Sequence, residues 1–269
     1  MGLLTGKNGI IVGASQGIGL GIAKKFVQEG ANIIMTARSK DKLEAACAEV
    51  NAAEGASGKA IAMTGDLQSA EDAARIFKAV VDTWGRVDFL VNNAAIGEMQ
   101  TLEAVDIDRI DSILLTNIKG PMVYCKEALK YMIEQNSGVI LNVSSINGIR
   151  PLCGIVYSSS KGGVNTFTEA LALYLTRIGA NVRVNALCPG FTYSPTSLNH
   201  DAVPHTLRDG MMNAIRDQSS VRRDDVRATP EEQANAALFL VSDMSVLICK
   251  SNGEVKREKD GEACPSLRM

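Results

Sequence analysis

The chain has 269 residues, 46% apolar and 22% charged, with a formal net charge of −2. That make-up suits a globular protein with a substantial core and argues against nucleic acid or an anionic membrane as its main partner. The six cysteines are scattered without a Cys-x-x-Cys and the only histidines are His200 and His205, so no metal site is expected.

The opening MGLLTGKNGI lacks the order of a signal peptide, and no apolar run reaches spanning length, so a cytoplasmic location with free thiols is expected. In chain order, the first strand is predicted over residues 9–13 and the first helix over 17–30. Between them, VGASQGIG places Gly13, Ser15, Gln16, Gly17, Ile18 and Gly19 at a strand-to-helix turn. Glycines there let backbone approach a pyrophosphate, whose charge the helix N-terminus favours. The turn therefore reads as a dinucleotide-binding loop.

The second strand, 32–37, is followed by Arg38 and Lys40 and by no acidic residue. A carboxylate at that place would take the ribose hydroxyls of NAD; a guanidinium grips a 2′-phosphate instead. NADP(H) is the expected cofactor, with NAD(H) still possible. A helix over 40–53 leads to a third strand, 59–65, followed by Asp66 and Leu67. After a helix over 70–84 comes a fourth strand, 87–93, which runs into Asn93 and Ala94.

A long helix over 108–134 carries Asn117. The fifth strand, 138–144, ends in Ser144 and Ser145, and the helix over 155–178 places Tyr157 and Lys161 four residues apart on one face. The sixth strand, 182–188, leads to Pro189, Gly190 and Thr192. Residues 191–228 are long and polar, as a substrate lid would be. They hold Ser194 and the two histidines, and the histidines read as surface residues. Residues 229–243 carry a helix-entry signature, Thr-Pro-Glu-Glu before an apolar stripe.

Strands with continuous apolar character, alternating with helices, predict an α/β doubly wound parallel sheet of Rossmann type in a single domain, residues 1–244. Residues 245–269 are charged and show no clear final strand.

Taken together, these motifs resemble the short-chain dehydrogenase/reductase family. The loop is similar to that family's Thr-Gly-x-x-x-Gly-x-Gly, with Val12 in place of threonine, and VNNAA is similar to its Asn-Asn-Ala-Gly. The resemblance covers residues 13–190 and implies a catalytic set of Asn117, Ser145, Tyr157 and Lys161. It implies that Asp66 and Leu67 border the adenine and that Asn92 supports the sheet. Asn93 and Ala94 would then lie by the nicotinamide ribose, and Pro189, Gly190 and Thr192 by the nicotinamide. Lys161 would also hold that ribose, Asn117 would order a relay water, and the serine would polarise the substrate oxygen. The following Ile-Asn-Gly selects Ser145 as that serine, whereas its spacing to Tyr157 suits Ser144, which stays open.

A tyrosine with a pKa near 10 is a poor base at neutral pH. One cation at about 4 Å supplies on the order of 4 kcal/mol at an effective dielectric near 20, so Lys161 and an oxidised nicotinamide ring are together expected to bring the phenol within reach, with Lys161 as the electrostatic partner of Tyr157. The expected activity is an NADP(H)-dependent interconversion of a carbonyl and a secondary alcohol. The substrate is a small molecule, open among 3-oxoacyl thioester, steroid, sugar and small ketone. Ile146, Ile149, Leu152 and Ile155 give the pocket an apolar wall, and Cys153 reads as packing. A homo-oligomer is possible, dimeric through the helices bearing Asn117 and Tyr157. The altered tail and Val12 keep a second reading open: a chain that binds cofactor with little or no activity.

Overall fold

The computed structural model describes residues 1–152, 154–192 and 227–245. Six strands, β1 (Asn8–Val12), β2 (Asn32–Ala37), β3 (Lys59–Thr64), β4 (Phe89–Asn92), β5 (Gly138–Val143) and β6 (Val182–Leu187), line up in the order β3-β2-β1-β4-β5-β6. Every neighbouring pair is parallel. The chain builds outward from β1 to β3, returns to the centre, and builds outward again from β4. The topological switch point therefore lies between β1 and β4, where the strands' carboxyl ends open a crevice.

Seven described α-helices cover the sheet: α1 (Gly17–Gln28), α2 (Lys40–Asn51), α3 (Ala70–Trp84), α4 (Ile107–Leu114), α5 (Gly120–Glu134), α6 (Ile155–Arg177) and α7 (Pro230–Val241). Alternate strand residues feed two cores. Ile11, Ile33, Met35 and Leu141 pack with Ile22 and Phe26 of α1, Leu43 of α2 and Leu238 of α7. Ile10, Val12, Ile34 and Ile140 pack with Phe77 of α3, Tyr124 and Met132 of α5, and Leu175 of α6. Burial on both faces is the reason these strands read as unbroken apolar runs.

Sequence boundaries shift by one or two residues at most strand and helix ends, as fraying ends do. The larger difference is the single helix expected over 108–134. A π-helical turn, Leu115–Lys119, divides it into α4 and α5 and carries Asn117. Pro121 has no N–H, so the α-helical bond to the Asn117 carbonyl four residues back cannot form; the wider turn absorbs this, with the Gly120 N–H reaching the Leu115 carbonyl.

Of the stretch 191–228, expected to form a lid, only the two ends are described. The described ends of that stretch meet, through a bridge between Thr192 and Ala228 and a 2.8 Å bond from the Ala228 N–H to the Phe191 carbonyl. Ser194 and both histidines lie outside the described residues, as do Cys153 and residues 246–269, on which the expectation of an altered final strand falls.

The last described helix is fixed at both ends. Thr229 and Glu232 form a reciprocal capping box at its start, next to Pro230. At its end, the Arg183 guanidinium from β6 donates to the carbonyls of Leu240 (2.9 Å), Val241 (3.2 Å) and Ser242 (3.1 Å), and to the Ser245 hydroxyl. These are carbonyls a helix C-terminus leaves without partners, facing a cation the dipole favours. Replacing Arg183 with Met should destabilise the fold by about 2 kcal/mol, since several half-buried acceptors lose charged donors. Urea denaturation measures this; an unchanged midpoint would show that water serves those carbonyls as well.

Candidate active site

The glycine loop lies at the switch point. Gly13 has φ +76, which favours glycine, and a Cβ there would come within 2.7 Å of the Ala94 Cα. A Cβ on Gly19 would strike the Gly13 carbonyl and the Asn93 amide. Four bonds hold the turn: the Gly13 and Ala14 N–H groups to the Thr36 carbonyl (2.7 and 3.4 Å), the Asn93 side-chain amide to the Gly13 carbonyl (2.9 Å), and the Asn93 N–H to the Val12 carbonyl (3.2 Å). Val12 is buried in the core, so the turn is tied to both neighbouring strands without the hydroxyl its position lacks.

Gln16, extended at φ −167, precedes α1, and no side chain caps the helix. Its first N–H groups therefore face the crevice edge with Ser15, Gly17 and Ile18 around them, and the cradle fits a dinucleotide pyrophosphate. Asn93 and Ala94 border that cradle directly. Arg38 is exposed just after β2 and makes no hydrogen bond or ion pair among the described residues. Asp66 is exposed after β3, one carboxylate oxygen accepting the Gln68 N–H at 2.9 Å. Leu67 differs in kind: its side chain is buried against Gly120 at the start of α5.

On the other half of the sheet, the reacting groups gather at the ends of β5 and β6. The Lys161 ammonium is buried at 3% exposure, donates to the Val143 carbonyl at 2.8 Å, and lies 5.8 Å from the centre of the half-buried Tyr157 ring. Its other two hydrogens have no acceptor among the described residues. Burial pulls the Lys161 pKa down to about 8, the nearby Cys188 opposing the shift. Burial pushes the Cys188 thiol up, and Ser144 and the Lys161 cation partly offset it.

The two serines separate by their bonds. The Ser144 hydroxyl donates to the Lys161 carbonyl at 3.0 Å and so ties β5 to α6. The Ser145 oxygen accepts the Asn147 N–H at 3.1 Å, starting a short 3-10 turn, Ile146–Gly148. That turn packs on α6 so tightly that a Cβ on Gly148 would lie 2.7 Å from the Lys161 carbonyl. The Ile146 N–H in turn reaches the Pro189 carbonyl at 2.9 Å, which brings the turn at Pro189 and Gly190 beside the serine. Thr192, buried, donates to the Gly190 carbonyl at 3.1 Å.

Asn117 is fully engaged as a donor. Its amide accepts the Ile96 N–H (2.7 Å) and donates to the Ile96 carbonyl and the Ser160 hydroxyl (both 2.9 Å). Ser160, which the sequence marks only as packing, donates in turn to the Tyr157 carbonyl at 2.7 Å. It thus links the π-helical turn to the helix turn bearing Tyr157. Ser160 lies three residues from Tyr157, and that spacing was the one available signal; for Cys188, it was adjacency to Pro189. Asn92 takes the supporting role expected of it. Its amide donates to Asn142 (2.9 Å), whose amide donates to Thr168 on α6 (2.9 Å), a buried polar chain joining β4, β5 and α6.

The structure thus sorts the sequence-predicted residues into two clusters with the glycine loop between them. Arg38 and Asp66 follow β2 and β3, while Asn117, Ser145, Tyr157 and Lys161 gather near β4 to β6. β2 and β5 are three strand spacings apart, about 14 Å, a span that an extended dinucleotide bridges. Among the described residues no group of three or more histidine, cysteine or carboxylate side chains could hold a metal, and no helix is long and apolar enough to cross a membrane.

The chain is 35% identical over 243 residues to the 3-oxoacyl-(acyl-carrier-protein) reductase FabG of Thermotoga maritima, covering 90% of this chain and 93% of that protein. It is 31% identical over 232 residues to the ketoacyl reductase HetN of a Nostoc species, covering 82% and 79%. Its fold superposes on the crystal structure of levodione reductase with a TM-score of 0.81 at 27% identity, covering 91% of this chain and 94% of that one. The family model for short chain dehydrogenase matches residues 7–206. The chain belongs to the short-chain dehydrogenase/reductase family.

Proposed function

We propose that this protein is an NADP(H)-dependent oxidoreductase that interconverts a carbonyl and a secondary alcohol, with Tyr157 passing the proton. The observation that carries this reading is the buried Lys161 ammonium beside the Tyr157 ring, at the carboxyl ends of the strands and next to Ser145. A cation enclosed in protein favours the phenolate far more than one in water. Lys161 also has hydrogens left over for sugar hydroxyls.

The nicotinamide, when bound, supplies or accepts the hydride. Tyr157 gives its phenolic proton to the oxygen of the nascent alkoxide in reduction and takes it back in oxidation. The Ser145 O–H donates to the same oxygen and polarises it, while Ser144 is occupied with the Lys161 carbonyl. Asn117 acts through its main chain, because its side chain is spent on Ile96 and Ser160. Its carbonyl, lacking an α-helical donor from Pro121, is the acceptor for a relay water. The Arg38 guanidinium, exposed and without a hydrogen bond or ion pair among the described residues, takes a 2′-phosphate.

The names of the Thermotoga and Nostoc relatives favour a 3-oxoacyl or similar ketone substrate and reduction as the direction. A dimer through α4, α5 and α6 is supported by exposed apolar residues there: Ile107, Leu115 and Met122 on the first two helices and the turn between them, Leu173 and Tyr174 on the third. Such residues would be covered by a second copy.

Tyr157→Phe should lower kcat by a factor of about 10² to 10⁴ and leave NADPH affinity nearly unchanged. Following NADPH oxidation over a panel of ketones measures this; full activity without the hydroxyl would remove Tyr157 from the chemistry. Arg38→Ala should weaken NADPH binding at least about tenfold and NADH binding little. Tighter binding of NADH than of NADPH to the unaltered protein would overturn the cofactor assignment.

The buried Lys161 also leaves a mark on stability. Its folded pKa lies near 8, below the usual 10.5. Between those values the unfolded chain holds more protons, so stability rises with pH across the window. Below pH 8 the charge is a penalty on the order of 3 kcal/mol. Lys161→Met should therefore gain on the natural protein at pH 7 and lose that advantage towards pH 10, as read by urea denaturation without cofactor. A parallel pH dependence in both proteins would contradict the lowered pKa.

A further inference from the structure

The helix face that carries Tyr157 and Lys161 continues one turn further to Asn165, a residue that none of the chemistry above uses. Asparagine is a poor helix former, and Asn165 stands half-buried in the middle of the 23-residue α6, so its place calls for a reason. Both ends of its side-chain amide are engaged outside the helix. The amide nitrogen donates to the Gly148 carbonyl at 3.1 Å, and the amide oxygen accepts from the Cys188 thiol at 3.6 Å.

These two bonds close a ring around the serine turn. Gly148 ends the 3-10 turn that follows Ser145, and its N–H donates to the Ser145 carbonyl at 2.9 Å. Asn165 holds Gly148 from α6, Cys188 holds Asn165 from the end of β6, and Cys188 leads along the chain into Pro189. The Pro189 carbonyl then accepts the Ile146 N–H at 2.9 Å, on the other side of the same turn. The approach is close: a Cβ on Gly148 would lie 2.9 Å from the Asn165 amide nitrogen. Its partners also dictate which way the amide points. A carbonyl can only accept, so the nitrogen must face Gly148 and the oxygen must face Cys188, which has to be a protonated thiol. Burial keeps it so, raising the Cys188 pKa. The Ser145 oxygen accepts the Asn147 N–H inside this turn, so the place of the turn sets the place of the serine hydroxyl.

We propose that Asn165 is a positioning residue for Ser145: oriented by the Cys188 thiol, its amide fixes the turn that holds the serine hydroxyl for the substrate oxygen. The proposal rests on the reductase reading above and adds a residue that acts through the turn. Misplacing a reacting group by about 1 Å can lower a rate on the order of a hundredfold. Polarising the substrate oxygen matters most as its charge develops, so the loss falls on kcat and spares KM.

The test uses the full chain with NADPH and ethyl acetoacetate, a simple 3-oxo ester. Asn165→Leu, similar in shape and without hydrogen-bonding groups, should lower kcat about tenfold to a hundredfold, with KM for the ester and NADPH affinity little changed. Cys188→Ala, which removes only the orienting donor, should lower kcat about threefold to tenfold, and Cys188→Ser, which keeps a donor, should recover most of that loss. Hydrogen exchange followed by mass spectrometry reads the turn without turnover. Residues 145–150 should exchange about tenfold faster in Asn165→Leu and Cys188→Ala, while β1 to β4 keep their protection. A contact that merely stabilises the fold would lower the urea midpoint and leave the kcat of the folded protein unaltered; that result would overturn the proposal. So would unchanged exchange over residues 145–150, or a Cys188→Ser protein as impaired as Cys188→Ala. Should Asn165→Leu fail to fold, the two Cys188 variants decide the question. If the natural protein reduces neither ethyl acetoacetate nor any ketone of the panel, that counts against the reductase reading alone, and the exchange of residues 145–150 decides whether the Asn165 bridge holds the turn.

Discussion

A single buried ammonium organises one half of this molecule. Lys161 is enclosed by α6, the end of β5 and the turn after Ser145, with one hydrogen given to the Val143 carbonyl. Placing a cation there is unfavourable by itself, which is why its pKa falls to about 8. The neighbours can be understood from that constraint. Gly148 is small because its turn must approach the Lys161 backbone, and Ser144 holds the Lys161 carbonyl. The Pro189 carbonyl fixes the same turn from β6. Stability is given up locally so that positive charge stands beside the Tyr157 phenol.

The rest of the architecture supplies rigidity for that arrangement. The Asn92–Asn142–Thr168 chain crosses from β4 to α6 inside the protein, where hydrogen bonds are strong and an unpaired group is costly. Asn117 and Ser160 perform the same service on the opposite side of Tyr157, through a π-helical turn that an ordinary helix would not provide. Each of these groups acts through position. None needs an unusual reactivity of its own.

How much of this was legible in the sequence depends on the range of the interaction. The parallel sheet followed from apolar runs alternating with helical periods, and the glycine loop from its place between strand and helix. That Tyr157 and Lys161 share one helix face followed from helix geometry, whereas their working as a pair was implied only by the resemblance to the family. Ser144 and Ser145 could not be ranked by spacing, because their difference lies in bonds to Lys161 and Asn147 that form only when β5, the 3-10 turn and α6 meet. The break in the helix over 108–134 was hinted at by Pro121, but its consequence for Asn117 was not.

By itself the sequence determined the alternation of strands and helices, the glycine turn between the first strand and the first helix, and the helix face that Tyr157 shares with Lys161, because each rests on contacts within a few residues along one element. The tertiary structure decided which serine is bonded to the Lys161 carbonyl, how deeply Lys161 is buried, and that Ser160 joins the two helices at the site. Burial and pairing are properties of groups distant in the chain. No local pattern encodes them before the sheet and helices close around the site.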